Sequence, residues 1–184
     1  MEYKQANFWK LLNSIEYKLS SKQETIELIV YSLISFFIPL VLKQPQLLVG
    51  TVVNAMLILA ALNLKGKNVL PIIMLPSMAV AAGGYLFGGF TAYFIYLIPF
   101  IWLSNTILVL AFKYFKLQKN NNFFLTLGIS SVAKAGFLFG ITFLLVSLSI
   151  VPEMFLTAMG MFQLVTAVTG GIFAFTVQKI KRII

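Results

Sequence analysis

The chain contains neither cysteine nor histidine. Disulfides, thiolate metal sites, iron–sulfur ligation and imidazole acid–base chemistry are therefore excluded for this chain alone. Carboxylates are almost as scarce. The five acidic residues are Glu2, Glu16, Glu24, Glu27 and Glu153, and none lies deep in an apolar run. A proton relay or cation path built on intramembrane carboxylates lacks its material. Charged residues of either sign make up only 10% of the chain, against roughly a quarter in a soluble domain. The one glycine-rich stretch, "GGYLFGG" at Gly83–Gly89, is not followed by GK[ST] and so is not a phosphate-binding loop. It predicts a flexible turn between two apolar runs, and a candidate gate.

Apolar sequence fills the space left by these absences. The 184 residues are 60% hydrophobic, with a mean hydropathy of +0.94. Several runs approach 18 to 20 residues with almost no charge, the length a helix needs to cross the hydrocarbon core. A membrane barrel would alternate apolar and polar residues in segments of about ten, and this chain does not. The expected fold is an all-α polytopic membrane protein whose main partner is the lipid bilayer itself. Six spans are predicted, near residues 25–42, 47–64, 69–87, 91–112, 123–150 and 154–177. The fifth exceeds the bilayer's need and so is tilted or extends outside. Pro39, Pro71, Pro76 and Pro99 are expected to start or kink helices, which spans tolerate when neighbours satisfy the freed carbonyls.

The net charge of +9 is explained by position rather than by a nucleic-acid partner. Lys4, Lys10, Lys18 and Lys22 precede span 1, Lys65 and Lys67 join spans 2 and 3, Lys113, Lys116 and Lys119 join spans 4 and 5, and Lys179, Lys181 and Arg182 follow span 6. These twelve fall on one side, Lys43 alone falls on the other, and Lys134 lies inside the membrane. By the positive-inside rule both termini are expected in the cytoplasm of a cell in whose plasma membrane the chain is multi-pass. Two parts are expected: residues 1–22 and a transmembrane domain over 23–184. The first lacks the continuous apolar core and cleavage site of a signal peptide. Its Phe8, Leu11, Leu12, Ile15 and Leu19 share one helical face, which predicts an amphipathic helix on the membrane surface; a basic tail is the alternative.

Polar side chains recur at similar depth in different spans: Asn54, Ser77, Ser104 with Asn105, Lys134 and Gln163. In hydrocarbon such groups need partners, so they are expected to face inward. Each amide also reads as interhelical glue, and each serine as bonded to its own helix. Lys134 is harder to set aside. A lysine at the centre of a span costs about 2.5–3.5 kcal/mol on insertion scales. No acidic residue of the chain lies at its depth, which leaves carbonyls, the amide oxygens of Asn or Gln, water, or an anion from outside the chain as its partners. Three readings stand: a ligand-holding ammonium, a structural cation and a neutral amine. Tyr85, Tyr93, Tyr96 and Trp102 read either as stacking partners for a ring or as an interfacial belt. Gly136 with Gly140, Ala167 with Gly171, and Gly170 with Ala174 are small pairs four apart, which predict close helix contacts. No nucleophile–base pair and no metal-ligand set exists at depth, so the chain is not expected to be an enzyme, and no cofactor is expected.

The segments "QLLVGTVVNAMLILA", "MLPSMAVAAG", "IPFIWLSNTILVLAFKYF", "SVAKAGFLF" and "MFQLVTAVTGGIFAF", in this order, resemble the small bacterial membrane proteins grouped with the S components of energy-coupling factor transporters. The resemblance covers roughly residues 25–178 and includes Asn54, Pro76, Ser77, Pro99, Ser104, Asn105, Lys134, Gln163, Thr166, Gly170 and Gly171. It implies six helices, cytoplasmic termini and a solute-capturing subunit that works with a coupling membrane subunit and two ATPase subunits. The solute is expected to be small, polar and anionic or carbonyl-bearing, held by Lys134 with Asn54, Asn105, Gln163, Ser104 and Ser77 around it. The absence of histidine removes the metal-uptake members from consideration. The rival expectation is a membrane scaffold in which Lys134 pairs with a carboxylate of another subunit.

Overall fold

The computed structural model describes residues 8–17, 19–42, 45–84 and 86–181. Among them there is no strand, and six helical segments are long and apolar enough to cross a membrane. They are span 1, Ser21–Val41; span 2, Gln46–Asn63; span 3, Gly66–Gly83; span 4, Gly88–Gln118; span 5, Phe123–Ser147; and span 6, Met154–Lys181. Lys43 and Tyr85 lie outside the described residues, as do Lys4, Lys18 and Arg182.

Local chemistry sets the ends. Span 1 starts earlier than its apolar run because Ser20 forms a capping box: its Oγ accepts from the Gln23 N–H while Gln23 Oε1 accepts from the Ser20 N–H. Span 3 stops at Gly83 because Gly84 takes the left-handed conformation, with φ 68°, that a glycine adopts without a Cβ clash. Pro71 and Pro99 sit in first helical turns, where a missing N–H costs nothing, whereas Pro39 and Pro76 lie inside helices. Span 4 runs past its expected end because it widens into a π-helical segment, Phe112–Gln118. Span 5 has 25 residues and so is roughly 38 Å long, more than the ~30 Å hydrocarbon core.

Span 2 is the central element. It packs on spans 1, 3, 4 and 6, and 61% of its apolar window is buried, against 17% for span 1. Its most extensive pairing is with span 6, and the small residues there explain why. Gly170 lies so close that a Cβ on it would stand 2.6 Å from the Thr51 carbonyl oxygen, and Ala167 and Ala174 are fully buried. The span 6 pairs therefore do what their spacing predicts. The span 5 pair does not: Gly136 and Gly140 are exposed, and nothing lies within 4 Å of a Cβ built on either.

Among the described residues that precede span 1, the N-terminal segment is helical over 8–12. Beyond Asn13 it leaves the helix, because its backbone groups find other partners: the Ser14 carbonyl accepts from Lys113 Nζ at 2.8 Å, and the Glu16 N–H donates to the Leu62 carbonyl at 2.7 Å. Through Ser14 and Glu16 the segment is docked on the lysine-rich end of the bundle; residues 1–7 of the expected amphipathic segment lie outside the described residues.

Candidate functional site

Lys134 lies near the middle of span 5 and is 2% exposed. Its Nζ donates to Asn54 Oδ1 of span 2 at 2.5 Å and to Asn105 Oδ1 of span 4 at 2.8 Å. Both amides are fixed by their other ends. Asn54 Nδ2 donates to the Gly50 carbonyl at 2.9 Å and to Thr166 Oγ1 at 3.1 Å. Thr166 in turn donates to the Phe162 carbonyl at 2.7 Å. Asn105 Nδ2 donates to the Ile73 carbonyl at 3.0 Å. Spans 2, 3, 4, 5 and 6 are thereby joined through one ammonium and two amides. With each NH₂ spent on a neighbour, the carbonyl end of each asparagine can only face the lysine.

No carboxylate joins this cluster. Among the described residues the ion pairs are Lys65–Glu24 and Lys181–Glu27, both at the lysine-rich end. An ammonium has three donors, and the two asparagines take two of them. Lys134 also lines a cavity of about 70 Å³. The cavity's other walls come from the lysine-poor halves of the spans: Gly50, Pro39, Pro76, Val80, Phe94 and Gln163 among them. It therefore runs from mid-membrane toward the end of the bundle opposite the lysines. At the ~30 Å³ a water occupies in the liquid, it has room for about two waters or one very small solute.

The sequence-predicted residues fall into two groups. Asn54, Asn105, Lys134, Ser77 and Gln163 all line the cavity. Ser104 does not: its Oγ is buried and donates to the Ile101 carbonyl at 2.9 Å, within its own helix. The asparagines brace Lys134, so the amide left for a ligand is Gln163, half-buried and without a side-chain hydrogen bond among the described residues. Ser77 donates to the Met74 carbonyl and accepts from Trp102 Nε1 at 2.7 Å. Trp102 thus supports the wall from behind, while Tyr93 and Tyr96 are exposed on the outside of the bundle.

The apolar half of the site is new. Leu86 and Phe87, from the glycine-rich turn, line the cavity with Phe94, Ile101 and Met159. Phe87 is buried, stacks on Phe94 and packs at a tilt against Phe155, with ring centroids 5.1 Å away in each case. The turn that carries it has left-handed glycines at Gly84 and Gly88 and is pinned by Thr91 Oγ1, which donates to the carbonyls of both. In a chain with 18 phenylalanines, nothing in the sequence marks Phe87 and Phe94 as different from the others. Set against protein-family models, curated proteins and solved structures, the chain finds no match.

Proposed function

We propose that the chain is a membrane-embedded solute-binding subunit that holds a small anion on Lys134. One observation carries this reading: a buried lysine that lines a cavity and whose hydrogen-bond partners are both neutral amides. An isolated buried cation carries a desolvation penalty of several kcal/mol, and amide oxygens offset only part of it. An anion in the cavity supplies the missing charge. The walls set its shape. A negative head meets Lys134 and Gln163, and a compact apolar body meets Phe87, Phe94 and Met159. Entry is from the lysine-poor side, which the positive-inside rule makes the outside.

The six spans and the sequence resemblance support a finer form of the proposal, in which this subunit belongs to an importer of the energy-coupling factor type and is driven by ATPase subunits of another chain. In the scaffold reading, by contrast, a partner's carboxylate would have to reach a lysine that is 2% exposed inside the bundle. The test uses the purified full chain and a series of small anions, formate to benzoate together with chloride and inorganic phosphate, read by thermal shift in detergent. A concentration-dependent rise in melting temperature for at least one anion, lost in Lys134→Met, is the expected result. No response from any of them, or an undiminished response in Lys134→Met, refutes the anion site. Copurification of two ATPases and a coupling subunit from native membranes tests the importer form separately.

A further inference from the structure

A second cavity lies at the lysine-rich end, between spans 4, 5 and 6. It measures about 340 Å³ and is lined by Lys116, Lys179, Asn120, Asn121 and Asn122, with Phe124 and Phe175 on the membrane side. Glu16 also reaches it, and its Oε2 accepts from Gln178 Nε2 at 3.0 Å. Among the described residues Lys116 Nζ has one hydrogen-bond contact, at 3.5 Å to the Asn121 carbonyl. Lys179 is exposed and is in neither of the ion pairs found among the described residues. The cavity thus holds two cations to one carboxylate, and that carboxylate is already engaged.

The cavity borders a second, apolar surface. Phe124, whose ring pairs with Phe175 at 5.0 Å, also begins an apolar groove on the outer face of span 5, formed by Leu125, Gly128, Ile129, Val132 and Ala133. The groove is floored by Gly128, where a built Cβ would meet nothing within 4 Å. From Phe124 to Ala133 it runs roughly 13 Å along the helix, close to half of the ~30 Å hydrocarbon core. A charged cavity at the lysine-rich end and an apolar groove that shares Phe124 with it together match an amphiphile.

We propose that this cavity and groove together seat one anionic phospholipid, with its phosphate between Lys116 and Lys179 and an acyl chain over Phe124, Gly128 and Val132. The asparagine amides supply donors for the glycerol and headgroup oxygens. A soluble phosphate ester has the same anionic chemistry, but the groove would then be unused, and the continuity through Phe124 favours the lipid. The site is independent of Lys134, which lies on the inner side of span 5.

Native mass spectrometry of the full chain in detergent tests this, with dioleoylphosphatidylglycerol and dioleoylphosphatidylcholine added in equal amounts. One phosphatidylglycerol should be retained where phosphatidylcholine is stripped. Replacing both lysines, Lys116→Gln with Lys179→Gln, should weaken that retention roughly 30-fold, at the usual electrostatic contribution of a lysine near an anionic lipid. Gly128→Leu keeps both charges, fills the groove on a lipid-facing surface and should weaken retention about fivefold, by loss of acyl packing. Lys134→Met should leave it unchanged. Equal retention of the two lipids, full retention in the double lysine variant, or thermal protection by glycerol 1-phosphate as strong as by phosphatidylglycerol would overturn the proposal.

Discussion

Lys113 and Lys134 are both withdrawn from solvent, at 0% and 2% exposure, and each donates to two neutral oxygens, yet they sit in different places. Lys113 sits at the lysine-rich end and donates to two backbone carbonyls, Ser14 at 2.8 Å and Leu64 at 2.9 Å. Leu64 is the residue at which span 2 ends, where helix carbonyls lack partners in the helix itself. Lys113 therefore closes a helix terminus and fastens the N-terminal segment to it. Two lysines of this end have carboxylate partners: Lys181 bonds Glu27 at 2.6 Å and Tyr31 at 2.9 Å, and the Glu24 carboxylate takes the Lys65 backbone N–H and Asn68. Lys134 stands mid-membrane among neutral amides and beside a cavity. Burial alone does not separate a structural lysine from a binding one. The two differ in place: Lys113 closes a helix end at the charged rim of the bundle, and Lys134 borders a cavity in its middle.

The sharpest way to break this comparison is to remove each lysine in turn. Lys134→Met is expected to abolish the thermal response to the responding anion, a loss of at least about 100-fold in affinity for a charge-assisted contact in a dry site. Lys113→Met should leave that response within twofold of the parent and instead lower unfolding stability by about 3 kcal/mol, since two buried carbonyls lose charged donors. Denaturation in detergent, read alongside the anion titration, distinguishes the two. If both variants lose stability and neither loses binding, the two lysines are the same kind of residue.

Giving Lys134 a counter-charge is the next largest perturbation. Asn105→Asp places a carboxylate where Oδ1 now accepts from Nζ, converting the cluster into an ion pair like that of Lys181 with Glu27. The new carboxylate competes with the solute for the same charge, so anion affinity should fall about tenfold to 100-fold while the protein remains monodisperse. Its second oxygen faces the Ile73 carbonyl, which now accepts from Nδ2, so part of the ion pair's gain is offset. A titration with unchanged affinity would show that charge is not what the cavity recognises.

The third concerns how the site is held. A Cβ at Gly170 would stand 2.6 Å from the Thr51 carbonyl oxygen and 2.9 Å from Asn54 Cβ. Gly170→Ala should therefore push span 6 off span 2, stretch the Asn54–Thr166 bond and lower stability by about 1–3 kcal/mol, the usual range for overpacking. Anion affinity should drop with it, by a few-fold, because Asn54 would be less well braced. Gly136→Ala and Gly140→Ala on the outer face of span 5 should do neither.

Much of this was legible from the chain. Runs of apolar residues bounded by lysines set six spans within a few residues, because hydrocarbon thickness and charge exclusion act on composition directly. Polar residues at matching depths gathered around Lys134 for an equally direct reason, the penalty of leaving them in lipid. Which neighbour each would choose was not legible. Ser104 reads like Ser77 in sequence, yet it bonds within its own helix while Ser77 serves Trp102. Gly136 and Gly140 carry the same four-residue spacing as Gly170 and Ala174, and face outward. Rotation of a helix about its axis decides these outcomes, and a span that is apolar all round carries little periodicity to reveal it. Lys113 was hidden by the same limit: it reads as one more interfacial lysine, and the π-helical turn that begins at Phe112 is not written in its neighbours.

The smallest expected effect sharpens the comparison from the other side. Trp102 touches the site only through Ser77, to which its Nε1 donates at 2.7 Å. Trp102→Phe keeps an aromatic ring in place and removes that one donor. Ser77 still bonds the Met74 carbonyl, so no buried hydroxyl is stranded, and the loss should be near 1 kcal/mol of stability. Anion affinity should stay within twofold, since the wall keeps its shape and Lys134 its partners. A larger drop in affinity with the same small loss of stability would mean that the Ser77 hydroxyl turns toward the cavity when the indole no longer engages it. The solute would then be read by the serine as well as by the lysine, and the neutral face of the cavity would belong to recognition rather than to support.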